Sequence, residues 1–295
     1  MKKLFLVFSF TIPLSIFGQG NGDSAAKPVT WPSGYTAHLN TVYTNTLNWE
    51  GKMDIYLPPI KNQSAPVIIN IHGGGWNHGE KETQGGFSTF FKEGFAVANI
   101  EYRLTAQASS PAAIQDTRCA LIYLINHANE LNIDVDKIII IGGSAGGHLA
   151  LMGGLLENNP IFDNNCSTLK KIKVAAIIDK WGIADVWDWG YGKNITSKSA
   201  ISWLGEKKLD SVFAASVSPN HYVSMSSPPT LIIHGDADPT VPYQQSVLLY
   251  KQFQTVGVKS DFISVPGGLH GKFSKEQTID VNKAILKFIL EVIRK

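Results

Sequence analysis

Several features that would mark other functions are missing from this chain. Its 26 lysines and arginines stand against 24 aspartates and glutamates, giving a formal net charge of +2, and the lysines are scattered over 295 residues. With no dense basic stripe there is nothing to grip a phosphate backbone, so no nucleic-acid partner is expected. No group of His, Cys and Asp has the spacing of metal ligands, so neither a metal nor another cofactor is expected. The glycine run Gly73-Gly74-Gly75 lacks the G-K-[ST] continuation of a phosphate loop. No internal repeat, low-complexity tract or interdomain linker breaks the chain.

Cysteine is reduced to Cys119 and Cys166. Neither lies near the expected cleavage region, so a lipoprotein is not expected. An even count permits a disulfide in an exported protein, and two independent buried thiols are the other reading. If bridged, the loop is long, and the chain-entropy argument assigns it roughly 4 kcal/mol.

No apolar run is long enough for a confident membrane span. The stretch that comes nearest, Leu4–Phe17, is short and interrupted by Pro13. Behind Met1-Lys2-Lys3 it reads instead as a secretory signal, with a small-x-small cleavage site at Gly18-Gln19-Gly20. The expected organisation is a signal over 1–20 and one catalytic domain over 21–295, exported to a periplasm or the external medium, with no membrane association after cleavage. An uncleaved anchor is the alternative. Residues 21–35, rich in Gly, Asn, Ser, Pro and Lys, read as a poorly ordered arm.

What the chain does contain centres on Ile138–Ala150, IIIIGGSAGGHLA. Four isoleucines read as a strand buried on both faces. They run into Gly142-Gly143-Ser144-Ala145-Gly146, which fits the pattern G-x-S-x-G. The turn from strand to helix is so sharp that the positions two before and two after the serine nearly touch. That explains glycine at both, and the serine itself must take a strained backbone. The strain exposes Ser144 Oγ at the carboxyl end of the strand, before the dipole of the next helix.

A five-residue pattern is weak alone, but strands and helices alternate around it. Val42–Trp49 and Lys52–Leu57 read as a hairpin. Val67–Ile71, Phe95–Ile100, Lys173–Ile178, Thr230–His234 and Asp261–Val265 read as further strands. Helices are expected over Phe87–Lys92, Pro111 to about Glu130, Ser246–Val256 and Gln277–Ile293. This is an α/β fold with a mostly parallel sheet and helices on both faces. Trp181–Tyr222 is too long for a simple connection and holds Trp181, Trp187, Trp189 and Trp203. It reads as an insertion over the carboxyl edge of the sheet, where such folds bind ligands.

A serine hydroxyl needs a base within hydrogen-bond reach, and the base needs an orienting acid. Of the eight histidines, His270 follows the last expected strand in a glycine-rich loop and is the candidate base. His234 ends a strand and is expected to pack beneath the acid loop. Asp236 and Asp238 are both candidate acids, and side chains two apart point opposite ways, so only one can face His270. The bare amides of His72-Gly73-Gly74-Gly75, with that of Ala145, could hold the negative oxygen of a tetrahedral intermediate.

With these residues in view the chain resembles the α/β-hydrolases. More narrowly, it resembles the esterases with an HGGGW loop and a GGSAGGHLA elbow, the BD-FAE-like group that includes feruloyl and acetyl-xylan esterases. The resemblance spans about Lys52 to the end. It implies Ser144 as nucleophile and His270 as base. The acid of HG-x-x-D-x-x-V-P falls on Asp238, leaving Asp236 a turn-stabilising role. The oxyanion amides fall on Gly74, Gly75 and Ala145. Arg103 and Asp116 are expected to form a buried pair behind the site. Trp76 and Trp181 are expected to line the acyl or sugar pocket, while at least half of the insertion's tryptophans form its own core. The expected substrate is a small-molecule or polysaccharide-linked ester. A formamidase or aminopeptidase-like hydrolase on the same triad, and a catalytically silent binding module, are the alternatives.

Overall fold

The computed structural model describes residues 29–294, apart from 47, 61, 194 and 195. The expected signal and its cleavage site lie outside the described residues. In chain order the strands are β1 (Thr36–Thr46), β2 (Trp49–Leu57), β3 (Ala65–Ile71), β4 (Ala96–Ile100), β5 (Ile133–Gly143), β6 (Ala176–Lys180), β7 (Thr230–Gly235) and β8 (Ser260–Val265). They form one sheet in the order β1-β2-β4-β3-β5-β6-β7-β8. The hairpin pair and its junction with β4 are antiparallel, and the rest is parallel.

Helices α1 (Ser88–Lys92), α2 (Ala112–Asn126), α3 (Ala128–Leu131), α4 (Ala145–Leu155), α5 (Val186–Tyr191), α6 (Lys198–Leu204), α7 (Ser211–Ser216), α8 (Tyr243–Thr255) and α9 (Lys275–Ile293) cover the sheet or cap its edge. The isoleucine run shows why. Ile138 and Ile140 join the core beneath α2, α4 and the insertion, while Ile139 and Ile141 join the core beneath α1 and α9. A strand apolar on both faces needs helices on both faces.

Three local expectations change. The amphipathic stretch from Pro111 divides at His127 into α2 and α3. The strand expected at Lys173–Ile178 is shifted to Ala176–Lys180, which brings Lys180 to the sheet edge beside the serine turn. The expected arm is not loose over its described part. Trp31 packs on Tyr56 with ring centroids 5.4 Å apart, and Tyr35 Oη donates to the carbonyls of Phe91 and Phe95.

Cys119 and Cys166 are bridged, with Cα atoms 5.4 Å apart across a sequence separation of 47. Beside the bridge lies an ion pair that the sequence did not reveal. Arg118 is fully buried in α2, and its guanidinium meets both carboxylate oxygens of Asp163 at 2.8 and 2.9 Å. Arg103 and Asp116 do form the expected buried pair, and the Asp116 carboxylate also accepts the Arg103 backbone amide. No described helix is long and apolar enough to cross a membrane.

Candidate active site

β5 ends at Gly143, and α4 starts at Ala145 with Ser144 between them at φ 57°, ψ −125°. A non-glycine residue in that region carries on the order of 1–3 kcal/mol of strain. The flanking glycines make the turn possible. A Cβ on Gly142 would lie 2.1 Å from the Gly146 carbonyl oxygen, and one on Gly146 would lie 2.3 Å from that of Ile71. The Ser144 amide donates to the Lys180 carbonyl at 2.9 Å, which pins the turn to β6.

β7 and β8 deliver the partners. Ser144 Oγ lies 2.9 Å from His270 Nε2, and His270 Nδ1 lies 2.7 Å from Asp238 Oδ2. The Asp238 side chain is sealed from solvent, whereas His270 keeps about 22% exposure at the cleft. The other Asp238 oxygen accepts the amides of Thr240 and Val241. Burial alone would raise this carboxyl. The hydrogen bonds from His234, His270 and the Thr240 amide outweigh it and hold the group well below the usual carboxylate range. Asp236 is exposed and accepts the Gly267 amide at 2.7 Å, away from His270. His234 lies beneath the acid loop. It is fully buried, with Nε2 near both Asp238 Oδ2 and the Val241 carbonyl and Nδ1 against Ser246 Oγ.

The loop after β3 forms the opposite wall. Gly74 turns at φ +112°, and its carbonyl accepts the amides of Asn77 and His78. Among the described residues the amides of Gly74 and Gly75 meet no acceptor, and that of Ala145 opens α4. Such amides are free to hold an anionic oxygen. His72 is buried and stacked on Tyr102, and burial pushes it down to about 4, so it remains neutral. The cleft holds about 660 Å³ and is lined by Gly74, Gly75, Ser144, Lys180, Trp181 and His270, with Ser197 and Ser199 from the start of α6 and Thr240 from the loop after β7.

The two tryptophans part company. Trp181 is half-buried in the cleft wall, its ring 6.3 Å from that of His270 and edge-on to Phe273. Trp76 does not line the cleft. It is fully buried, stacked on Trp203 at 4.3 Å and edge-on to His148 and Trp189. Following the oxyanion glycines placed Trp76 next to the chemistry in sequence, but its own φ of 58° turns the ring into the core beneath the loop. Sequence reasoning also passed over Lys180, Ser199 and Thr240. Ser199 meets Gly75 so closely that a Cβ there would be 2.8 Å from its hydroxyl. No motif surrounds Lys180 or Ser199, which only the shifted strand and the folded insertion bring in, and Thr240 is an unspecified position of the acid motif. Among the described residues no group of three or more His, Cys, Asp or Glu is placed to hold a metal.

The BD-FAE family profile matches residues 53–253. The chain belongs to the BD-FAE family. Esterase LipC of Mycobacterium tuberculosis is 28% identical over 217 residues, 70% of this chain and 53% of that protein. The chain thus spans about half the length of this curated relative. A solved truncated form of a carbohydrate esterase from gut microbiota superposes with a TM-score of 0.74 at 30% identity, covering 86% of this chain and 96% of that one. A bifunctional GH43-CE protein of Bacteroides eggerthii superposes with a TM-score of 0.75 at 24% identity, covering 86% of this chain and 35% of that one. That last likeness concerns the fold alone, which is the α/β-hydrolase fold.

Proposed function

We propose that this BD-FAE member is an exported serine carboxylic-ester hydrolase that removes acetyl or feruloyl groups from plant polysaccharides through an acyl-enzyme. The observation that carries the reading is the continuous series Ser144 Oγ, His270 and Asp238, set against unengaged amides on the far wall of one cleft.

The chemistry follows from these atoms. Ser144 Oγ attacks the ester carbonyl carbon as His270 Nε2 takes its proton. The carbonyl oxygen becomes an oxyanion held by the amides of Gly74, Gly75 and Ala145, each such donor being worth about 10²–10³ in turnover. Asp238, ionised throughout, holds the imidazole in the tautomer that presents a bare Nε2 and stabilises the imidazolium that forms. His270 then returns the proton to the leaving alcohol, leaving an acyl-Ser144. Water, deprotonated by the same Nε2, attacks that acyl group, and His270 returns the proton to Ser144 Oγ as the C–Oγ bond breaks and the acid leaves.

The carbohydrate-esterase name of the gut-microbiota relative supports a sugar-linked ester. Trp181 supports it too, since an aromatic face in the cleft suits a sugar or hydroxycinnamoyl ring. The Cys119–Cys166 bridge supports export, because disulfides persist in oxidising compartments. The test is a panel of nitrophenyl acetate, methyl ferulate and acetylated xylan with wild-type protein and Ser144→Ala. Ester turnover that vanishes in the variant is the expected result. Turnover surviving above a few per cent removes Ser144 as nucleophile, and no turnover on any ester removes the hydrolase reading.

A further inference from the structure

Lys180 is the last residue of β6, paired in register with Gly143, one position before the serine. Its carbonyl accepts the Ser144 amide. Its side chain lines the same cleft as Ser144 and His270, with Nζ 5.6 Å from the centre of the Trp181 ring. Among the described residues no carboxylate comes within ion-pair distance of it, although Lys52, Lys81, Lys137, Lys173, Lys207, Lys259, Lys283 and Lys287 all find one. The described lining contains no aspartate or glutamate, and its titratable side chains are His78, Lys180 and His270.

A half-buried ammonium without an anion is costly, and burial lowers its pKa accordingly. The Trp181 face offsets part of that cost through cation–π attraction but leaves the ammonium's hydrogen-bond donors unused. A carboxylate brought by the ligand would satisfy them. Such a charge-assisted pair is stronger than a hydrogen bond between neutral groups.

We propose that Lys180 is a specificity residue that binds a carboxylate on the ligand, on the β6 side of the scissile bond. The preferred substrate is then an ester that also carries a carboxylate, and it has two chemical sources. One is the alcohol part, as in an O-acetylated uronate sugar. The other is the acyl part, as in a half-ester of a dicarboxylic acid. The proposal rests on the ester-hydrolase reading for its substrate, but the binding of the anion itself does not need turnover.

Two matched pairs separate the sources. O-acetylated methyl galacturonoside is compared with its carboxamide, and the nitrophenyl half-ester of succinic acid with nitrophenyl butyrate. In wild type kcat/KM favours the anionic member of one pair. In Lys180→Met, which keeps the stem over Trp181, the anionic-to-neutral ratio in that pair falls by about tenfold or more. Lys180→Arg restores most of it, and added salt lowers the wild-type ratio. A ratio that Lys180→Met leaves untouched in both pairs overturns the proposal and leaves Lys180 as packing for Trp181. Calorimetric titration of Ser144→Ala with galacturonate, galactose and succinate reads binding without chemistry. There an anion must bind in a Lys180-dependent way, and equal or absent binding of both anions relative to galactose overturns the proposal even if the hydrolase reading also fails.

Discussion

Asp238 is engaged from three directions, by two imidazoles and two backbone amides, while its neighbour Asp236 engages one amide of the turn. Asp238→Asn should therefore cut kcat by orders of magnitude, because an amide can present its NH2 to His270 and fix the wrong tautomer. Asp236→Asn should keep most of kcat. Steady-state rates on nitrophenyl acetate decide it, and the reverse ranking would reassign the acid. A second carboxyl near the site acts on stability instead. Asp179, the last residue but one of β6, is fully buried, with Oδ1 accepting the Gly182 amide and Oδ2 unpartnered. Burial raises it to about 7, outweighing the amide bond that lowers it. The folded state thus holds this proton more tightly than the unfolded chain. Stability from this group is complete below about pH 4 and is lost as pH rises through about 7. Asp179→Asn cannot ionise, so it should melt higher than wild type at pH 8 and nearly alike at pH 4. A variant that melts lower at pH 8 would show that the carboxylate is stabilised by neighbours not counted above. Of these residues, Ser144, His270 and the pair Asp236/Asp238 were legible from motif and order. The choice between the two aspartates was not legible from alternation alone, because it depends on which way a loop turns over His234.

At the scale of elements, the regular strands could be read because a parallel sheet buried on both sides writes continuous apolar runs. The insertion could be read only as an exception. Its helices α5 and α6 are short, and their tryptophans carry no period. Their packing comes from the partner they meet, which is the loop after β3. Trp76, Trp203, Trp189 and His148 form one cluster that joins the oxyanion loop, the insertion and the elbow helix. That tertiary contact is why adjacency in sequence misplaced Trp76. Trp203 is fully buried in α6, and Trp203→Ala should cost about 3–5 kcal/mol of stability. It should also lower kcat, since Trp76 loses the ring it stacks on and Trp76 directly follows Gly75. Trp203→Phe should recover much of both. Melting curves and kcat on nitrophenyl acetate test this. A lowered melting point with kcat intact would mean that the oxyanion loop holds its shape without the cluster.

For the whole molecule, the catalytic order along the chain follows from topology. β3, β5, β7 and β8 all end at one edge, so four loops far apart in sequence meet there. This much could be inferred from alternation of strands and helices. The bridge could not, because two cysteines are consistent with a bond or with two thiols until α2 and the segment before β6 are seen side by side. The closed loop from Cys119 to Cys166 contains β5, Ser144 and α4 whole. Cross-linking its ends therefore restricts, in the unfolded chain, the segment that must form the elbow. For a separation of 47 residues, loop-closure entropy corresponds to roughly 4 kcal/mol. With an unfolding entropy of about 2.1 cal/mol/K per residue, that is a melting shift of roughly 7 °C for a chain of this size. In the native state the reduced form has other fastenings at the same place. Arg118 still grips Asp163 and the carbonyls of Gly153 and Glu157. The expected outcome for Cys119→Ser with Cys166→Ser is thus a lower melting temperature with kcat near wild type at 25 °C, and reductant should lower the melting point of wild type by a similar amount. Calorimetry of both proteins with and without reductant checks it. Equal melting points would mean that the bridge leaves the unfolded ensemble unchanged. A loss of kcat at 25 °C would mean that it positions the elbow as well as restricting the unfolded chain.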